Sequence, residues 1–355
     1  MEDRMAWLAL NMLPSLTPRR LRALLGVLGG PCEIMAAPVE KLARAIGPEA
    51  ARRIARERSA AQPQQEVRRA RHAGAHIVTL ADGDFPEVMR ELPTPPLVLY
   101  VLGKLEPADV SGVAIVGTRR CTSYGRLVAR KMGTQLAERG VTVISGMAPG
   151  VDAAAHQGAL SGGRTVAILG TGLGKPYPAG VERRLQAIAE KGAVLSEYPW
   201  ETPGAAWTFP RRNRLIAGLC KAVLVVEAPI RSGALITAER ALEQGKDVLA
   251  VPGPITSEAS AGTNRLLQDG ASPVTCVEDV VEELGGVGKH HFQPSLPLPT
   301  GDALTVYEAL SSEMLDTSEL MAHTGLSHAL VSQALLELQM AGLVEEQPGR
   351  RYARI

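Results

Sequence analysis

Aromatic side chains are scarce: three phenylalanines, three tryptophans and six tyrosines make up 3% of 355 residues. A core built with so few rings must rely on Ala, Leu, Val and Gly, so an aromatic in an exposed motif calls for its own explanation. Cysteine is also sparse. Cys32, Cys121, Cys220 and Cys276 lie far apart with no C-x-x-C pair, which argues against a disulfide framework and against a zinc site, and no metal is expected. No apolar run approaches the roughly 20 residues of a membrane span, and Met-Glu-Asp-Arg at the start does not read as a secretory signal, so a cytoplasmic location is expected. Net charge is only +1, so the chain as a whole does not announce a polyanionic partner. The charge is unevenly spread, however: residues 1–72 carry 13 Lys/Arg against 7 Asp/Glu, and residues 303–355 carry 3 against 7.

What stands out is the stretch 207–219, Trp-Thr-Phe-Pro-Arg-Arg-Asn-Arg-Leu-Ile-Ala-Gly-Leu. Pro210 pre-sets a first helical turn, and Arg211, Arg212, Asn213 and Arg214 crowd that turn. A helix N-terminus already carries roughly half a positive charge, so three cations there make sense beside an anion such as phosphate. Phe209, one of three phenylalanines, then suggests a base stacked next to its own phosphate. A second reading stays open, in which the arginines pair with carboxylates in a structural network and Phe209 is core.

Residues 112–285 alternate apolar strands with amphipathic helices, the pattern of a doubly wound α/β sheet. Strands are expected at Val113–Val116, Val141–Ile144, Thr165–Leu169, Ala193–Leu195, Ala222–Val226, Val248–Val251 and near Val274. Two more, 76–80 and 97–101, are expected at an edge of that sheet. Ligands of such sheets bind at the carboxyl ends of the strands. The loops found there are Gly117-Thr118-Arg119-Arg120, Ser145-Gly146, Gly170–Lys175 and Arg231-Ser232-Gly233, a rim of backbone donors. None is a Walker A loop or a G-x-G-x-x-G opening a helix, so no nucleotide cofactor is expected.

Residues 1–64 read as a small helical module of the helix-hairpin-helix or SAM type, with Thr17 and Pro18 starting one helix and Gly29-Gly30-Pro31 ending it. Its basic face fits either DNA backbone or a solvated surface. The main α/β domain is assigned to 65–285 and a Pro/Gly linker to 286–302. Residues 303–355 read as a winged helix whose would-be recognition helix, Ser327–Met340, has no Lys or Arg. A major-groove reader needs cations to position it, so a protein-contact or dimer-stabilising role is expected instead.

Taken together, G-T-R at 117–119, S-G-M-A-P-G-V-D-A-A-A-H at 145–156, Y-P-A-G at 177–180, S-E-Y-P at 196–199, F-P-R-R-N-R-L-I-A-G-L at 209–219, S-G-A-L-I-T-A at 232–238 and E-Q-G-K-D-V-L-A-V-P-G-P at 243–254 resemble the DprA/Smf family of DNA-processing proteins. That resemblance implies an extended Rossmann-like fold and a cytoplasmic, dimeric binder of single-stranded DNA. Such a protein protects incoming strands during natural transformation and loads RecA recombinase onto DNA covered by single-strand-binding protein. It also implies a phosphate contact at Arg119 and base stacking on Phe209. Arg211, Arg212, Asn213 and Arg214 are implied in the same pocket, with Ser145, Gly146, Ser232 and Gly233 as neighbouring donors. Two departures stand out. Ala206-Trp207-Thr208 occupies positions where relatives often carry His or Lys, leaving Trp207 as a second stacking face, and Gly174 stands where an Asp is common, leaving Lys175 either a phosphate contact or a solvated lysine.

An enzyme is the alternative to this non-catalytic reading. Asp152 and His156 lie four apart on one helix face, but without a third ligand or a nucleophile they read as a capping Asp and a packed His. Glu197 and Glu227 could hold a ribose hydroxyl, or could pair with the arginines of 211–214. The rival family, phosphoribohydrolases of the lysine-decarboxylase-like group, carries P-G-G-x-G-T-x-x-E; residues 231–239 keep Thr237 and Glu239 but lose the glycine pair.

Overall fold

The structure is a computed structural model that describes residues 2–285, 299, 301–310, 315–340, 343–347 and 351–354. The chain divides into two units, Met1–His290 and His291–Ile355.

The first unit opens with six helices: α1 (Asp3–Asn11), α2 (Pro18–Leu28), α3 (Pro31–Ala36), α4 (Val39–Ile46), α5 (Pro48–Ala60) and α6 (Pro63–His72). Thr17 caps α2 by accepting the Arg20 amide at 3.3 Å, as its place before Pro18 predicts. Three of the helices, α1, α3 and α6, are not anticipated from the sequence. Glu2 gives α1 no side-chain cap, and α3 starts at the Pro31 that closes the preceding turn. The boundary drawn at 64 falls inside α6, and the reason is Glu66. This carboxylate, 2% exposed, accepts the Tyr100 hydroxyl at 2.9 Å and the Trp200 amide at 2.8 Å, and it pairs with Arg69 at 3.2 Å. Leu8 packs with Ala70, Ile77 and Tyr100 against the sheet, while Leu10, Leu24, Ile34, Leu42 and Ile54 form a core of the helices' own.

A nine-stranded sheet follows: β1 (Ala75–Thr79), then after the short α7 (Glu87–Arg90) β2 (Val98–Gly103), β3 (Val113–Val116), β4 (Val143–Ser145), β5 (Thr165–Leu169), β6 (Ala193–Ser196), β7 (Ala222–Val225), β8 (Asp247–Ala250) and β9 (Ser272–Pro273). Its spatial order is β1-β2-β6-β5-β4-β3-β7-β8-β9, parallel from β6 through β9 and antiparallel at β1 and β2. The expected edge strands are therefore at an edge. Strands β3 to β7 are buried at every residue, which is why they read as continuous apolar runs. The covering helices are α8 (Ser123–Glu138), α9 (Val151–Gly162), α10 (Glu182–Lys191), α11 (Thr208–Leu219), α12 (Gly233–Glu243), α13 (Ala261–Gln268) and α14 (Val277–Glu283). The scarcity of rings is met by close backbone packing: a Cβ on Gly158 of α9 would lie 2.0 Å from the Arg130 carbonyl of α8. No described helix is long and apolar enough to cross a membrane.

The second unit comprises α15 (Asp302–Ala309), β10 (Leu315–Asp316), α16 (Thr317–Thr324), α17 (His328–Met340), β11 (Val344–Gln347) and β12 (Arg351–Arg354), around Val306, Leu310, Leu320, Val331 and Leu335. Strands pair in the order β10-β12-β11, and this is the winged helix expected there. The Pro348-Gly349 turn and nearly all of the 286–302 linker lie outside the described residues.

Candidate nucleic-acid interface

The strand order reverses between β3 and β7, and a crevice opens outside the carboxyl ends of those strands. It encloses a cavity of about 810 Å³. Three of the five anticipated loops and helix starts converge on it: Gly117 to Arg120 after β3, Phe209, Arg212 and Asn213 at the start of α11, and Arg231 to Gly233 at the start of α12. Gly117 is fixed by space, since a Cβ there would come within 2.5 Å of Val151 and 2.8 Å of the Glu227 carbonyl. The Thr118 amide donates to that same carbonyl at 2.7 Å, tying the β3 loop to the end of β7. Ser232 caps α12 by accepting the Ala234 amide at 3.3 Å, so the free end of that helix borders the crevice.

Phe209 is half-buried with its ring held in place. A Cβ on Gly170 would meet its Cδ1 at 2.7 Å, and one on Gly204 would meet its Cζ at 3.1 Å. Tyr177 tilts against it at 57° with 5.3 Å between ring centroids, and the Arg119 guanidinium lies 4.9 Å from the Phe209 centroid. The ring thus lines the crevice together with the exposed Arg119, Arg120 and Arg231.

The arginines of α11 divide between two tasks. Arg212, 4% exposed, donates to the Gly146 carbonyl at 2.7 Å, to the Ile168 carbonyl, and to Asn213 Oδ1 at 3.2 Å. Burial lowers its pKa to about 10. Gly146 is required there, because a Cβ would sit 2.4 Å from Arg212 Nη1. Arg214 donates to Glu197, and burial lowers its pKa also. Arg211 lies 3.7 Å from the same Glu197 oxygen but keeps 43% of its side chain exposed. Two of the three cations crowded onto this helix start are thus held by carbonyls and a carboxylate of the protein itself.

Of the other anticipated residues Asp152 also lines the crevice, and the rest lie elsewhere. Ser145 is fully buried and donates to the Ile115 carbonyl at 2.6 Å. Lys175 pairs with Glu201 at 3.6 Å in solvent. Trp207, 58% exposed, stands edge-on to Tyr198 at 6.1 Å and lines a different groove together with Arg211. Glu227 does not reach the α11 arginines; it accepts the Thr122 amide and hydroxyl, both at 2.7 Å. Asp152 accepts the Ala148 amide at 3.3 Å, and burial raises its pKa. His156 is fully buried with Nδ1 2.7 Å from Thr165 Oγ1, and burial lowers its pKa to about 3. The Thr165 hydroxyl already donates to the Val143 carbonyl at 2.6 Å, so Nδ1 is the protonated nitrogen. Sequence reasoning named Arg231 only as part of a rim loop and gave Tyr177 no site role. The signal for Arg231 was its position immediately before the Ser232 cap; Tyr177 stood in the quoted Y-P-A-G run. Among the described residues no group of three or more His, Cys, Asp or Glu is placed to hold a metal ion.

Residues 76–285 match the family model for DNA recombination-mediator protein A, and residues 291–350 match a DprA winged-helix domain. The chain is 38% identical over 350 residues to a putative DNA processing protein DprA of Mycobacterium tuberculosis, covering 90% of each. It is 43% identical over 207 residues to the DNA processing protein DprA of Streptococcus pneumoniae, covering 58% of this chain and 73% of that one. The crystal structure of the latter superposes with a TM-score of 0.68 at 33% identity, over 78% of this chain and 95% of that chain. A Helicobacter pylori DprA structure, described for its single-stranded DNA binding mode, superposes with a TM-score of 0.53 at 31% identity, over 59% of this chain and 95% of that chain.

Proposed function

This chain belongs to the DprA/Smf family of DNA recombination mediators, and from that premise we propose that it binds single-stranded DNA in the crevice between β3 and β7 without chemically altering it. The observation that carries this reading is the Phe209 ring, held by its neighbours and flanked by Arg119, Arg120 and Arg231. A base stacking on Phe209 takes over the ring face that Arg119 covers, which frees that guanidinium for the adjoining phosphate. Stacking contributes about 1–3 kcal/mol. Three phosphate contacts give a salt slope near −2. Micromolar affinity needs about 8 kcal/mol, so one crevice falls short, and two crevices of a homodimer on one strand supply the rest through effective concentration. The protein acts in the cytoplasm, shielding incoming strands and passing them, cleared of single-strand-binding protein, to RecA.

Fluorescence anisotropy with a labelled oligo(dT), its duplex and free nucleotides, at two salt concentrations, tests this. Phe209→Ala should weaken single-strand binding by about five- to hundredfold in a variant that melts like the wild type. Unchanged affinity removes the platform from the mechanism. Tight binding and hydrolysis of free nucleotides would instead favour the phosphoribohydrolase reading.

A further inference from the structure

Helix α8 runs out from the crevice with a basic face that meets no acid. Its start is tied to the end of β7: Thr122 donates its amide and its hydroxyl to Glu227, and a Cβ on Gly125 would lie 2.5 Å from the same carboxylate. Beyond that anchor Arg126, Arg130 and Lys131 are exposed and, among the described residues, form no ion pair. Exposed arginines on other helices pair with an acid three or four positions away, as Arg53 does with Glu49, Arg240 with Glu243 and Arg265 with Asp269. On α8 no acid stands at that spacing from any of the three cations, and the residue four before Arg130 is Arg126. Like charges so placed cost about 0.2–0.5 kcal/mol, which an anion on this face would remove. The same helix carries an exposed ring in a chain poor in aromatics. Tyr124 keeps 47% of its surface open, with its hydroxyl donating to the Pro252 carbonyl at 3.4 Å.

We propose that this face of α8 is an outer track for the single strand, with a base on Tyr124 and successive phosphates on Arg126, Arg130 and Lys131. The inference rests on the single-strand reading above, and continuity with the crevice identifies the occupant. Arg120, which lines the crevice, stands four positions before Tyr124, and the segment from Pro252 onward returns Glu258 and Ala259 to the crevice lining. A strand leaving Phe209 past Arg119 and Arg120 therefore arrives at the start of α8. From Tyr124 to Lys131 the helix rises about 10 Å, the length of about three stacked nucleotides, so three cations meet about three phosphates. The basic stripe stops at exposed Glu138. A ring face and cations placed for phosphate read no base edge, so the track accepts any sequence.

The test uses the full chain and labelled oligo(dT) of two lengths, about 5 and about 15 nucleotides. The triple variant Arg126→Ala, Arg130→Ala, Lys131→Ala alters only exposed side chains and should melt like the wild type. It should weaken the longer oligomer about tenfold and reduce its salt slope by about 2, while the shorter one, held in the crevice, changes by less than about twofold. Tyr124→Ala should likewise weaken only the longer oligomer, and Tyr124→Phe, which keeps the ring, should restore it. With 5-iododeoxyuridine placed along the longer oligomer, photocrosslinking should mark Tyr124. Equal losses at both lengths would reduce the three cations to general attraction, and that result overturns the track, as does an unchanged longer oligomer or the lack of any crosslink on α8. The crevice is tested separately: Phe209→Ala should weaken both lengths, and if it weakens neither, the crevice reading fails whatever α8 does.

Discussion

Arg119 and Arg212 line one crevice, yet the structure holds them differently: Arg212 is buried on carbonyls and Arg119 is exposed. Arg212→Met fills most of the vacated space and leaves the carbonyls of Gly146 and Ile168 without their donor. An orphaned buried acceptor costs about 1–3 kcal/mol, so two cost about 4 kcal/mol together. Arg212 is 4% exposed, so water does not reach those carbonyls easily, and only the relieved desolvation of the buried guanidinium offsets part of the loss. At about 2–4 °C per kcal/mol the melting temperature should fall by roughly 10 °C. Arg119→Ala alters an exposed side chain and should change stability by less than about 0.5 kcal/mol. It should instead lower single-strand affinity and reduce the salt slope by about 0.7, the contribution of one phosphate. Calorimetry and anisotropy over a salt series on both variants separate the roles. If Arg212→Met melted with the wild type while losing DNA, its guanidinium would be a ligand contact and the division of labour proposed for α11 would collapse.

Two further outcomes follow from buried charge. His156, with its folded pKa lowered from 6.5 to about 3, must stay neutral in the native state, so the unfolded chain binds more protons below pH 6.5. Stability is therefore retained above pH 6.5 and lost as pH falls toward 3, by about 2 kcal/mol between pH 6.5 and 5. Denaturant titrations should show that loss in the wild type and not in His156→Gln; parallel pH profiles for the two would refute it. Glu66→Ala strands the Tyr100 hydroxyl and the Trp200 amide, so it should destabilise the unit by about 3 kcal/mol and raise protease sensitivity in the six N-terminal helices first. Uniform protection across the unit in that variant would show that the helices do not depend on this carboxylate.

The parallel strands could be read directly because both faces are covered, so Val113–Val116 or Thr165–Leu169 could be nothing but buried. The crevice was legible for a related reason: strand ends in such sheets carry the site, and glycine and serine loops mark them. The fate of the arginines was only partly legible. Residues three apart share a helix face, so Arg211 and Arg214 both turn to Glu197, whereas Arg212 is rotated away and meets the carbonyls of Gly146 and Ile168. The spacing alone contains that split; which face meets a carboxylate and which meets carbonyls is decided by β4, β5 and β6, far away in sequence. Nothing local marks Glu66. An acid in a basic helix reads as a solvated residue until Tyr100 and Trp200 arrive from segments 34 and 134 positions away.

These assignments also resolve the oddity of three cations at a positive helix end. Were all three ligand contacts, the empty protein would have to hold them unpaired against the α11 dipole, and the helix start would be weakened until DNA arrived. Instead Glu197 and two carbonyls stabilise Arg212 and Arg214 permanently. That leaves Phe209 on a rigid first turn, with Gly170 and Gly204 allowing the ring to lie close against backbone. The exposed charges, Arg119, Arg120 and Arg231, come from loops, where a side chain can reorient without disturbing the sheet. On the proposed single-strand reading, this combination suits a strand that differs in sequence at every encounter: a fixed ring would accept any base, and the loop cations would follow the phosphates.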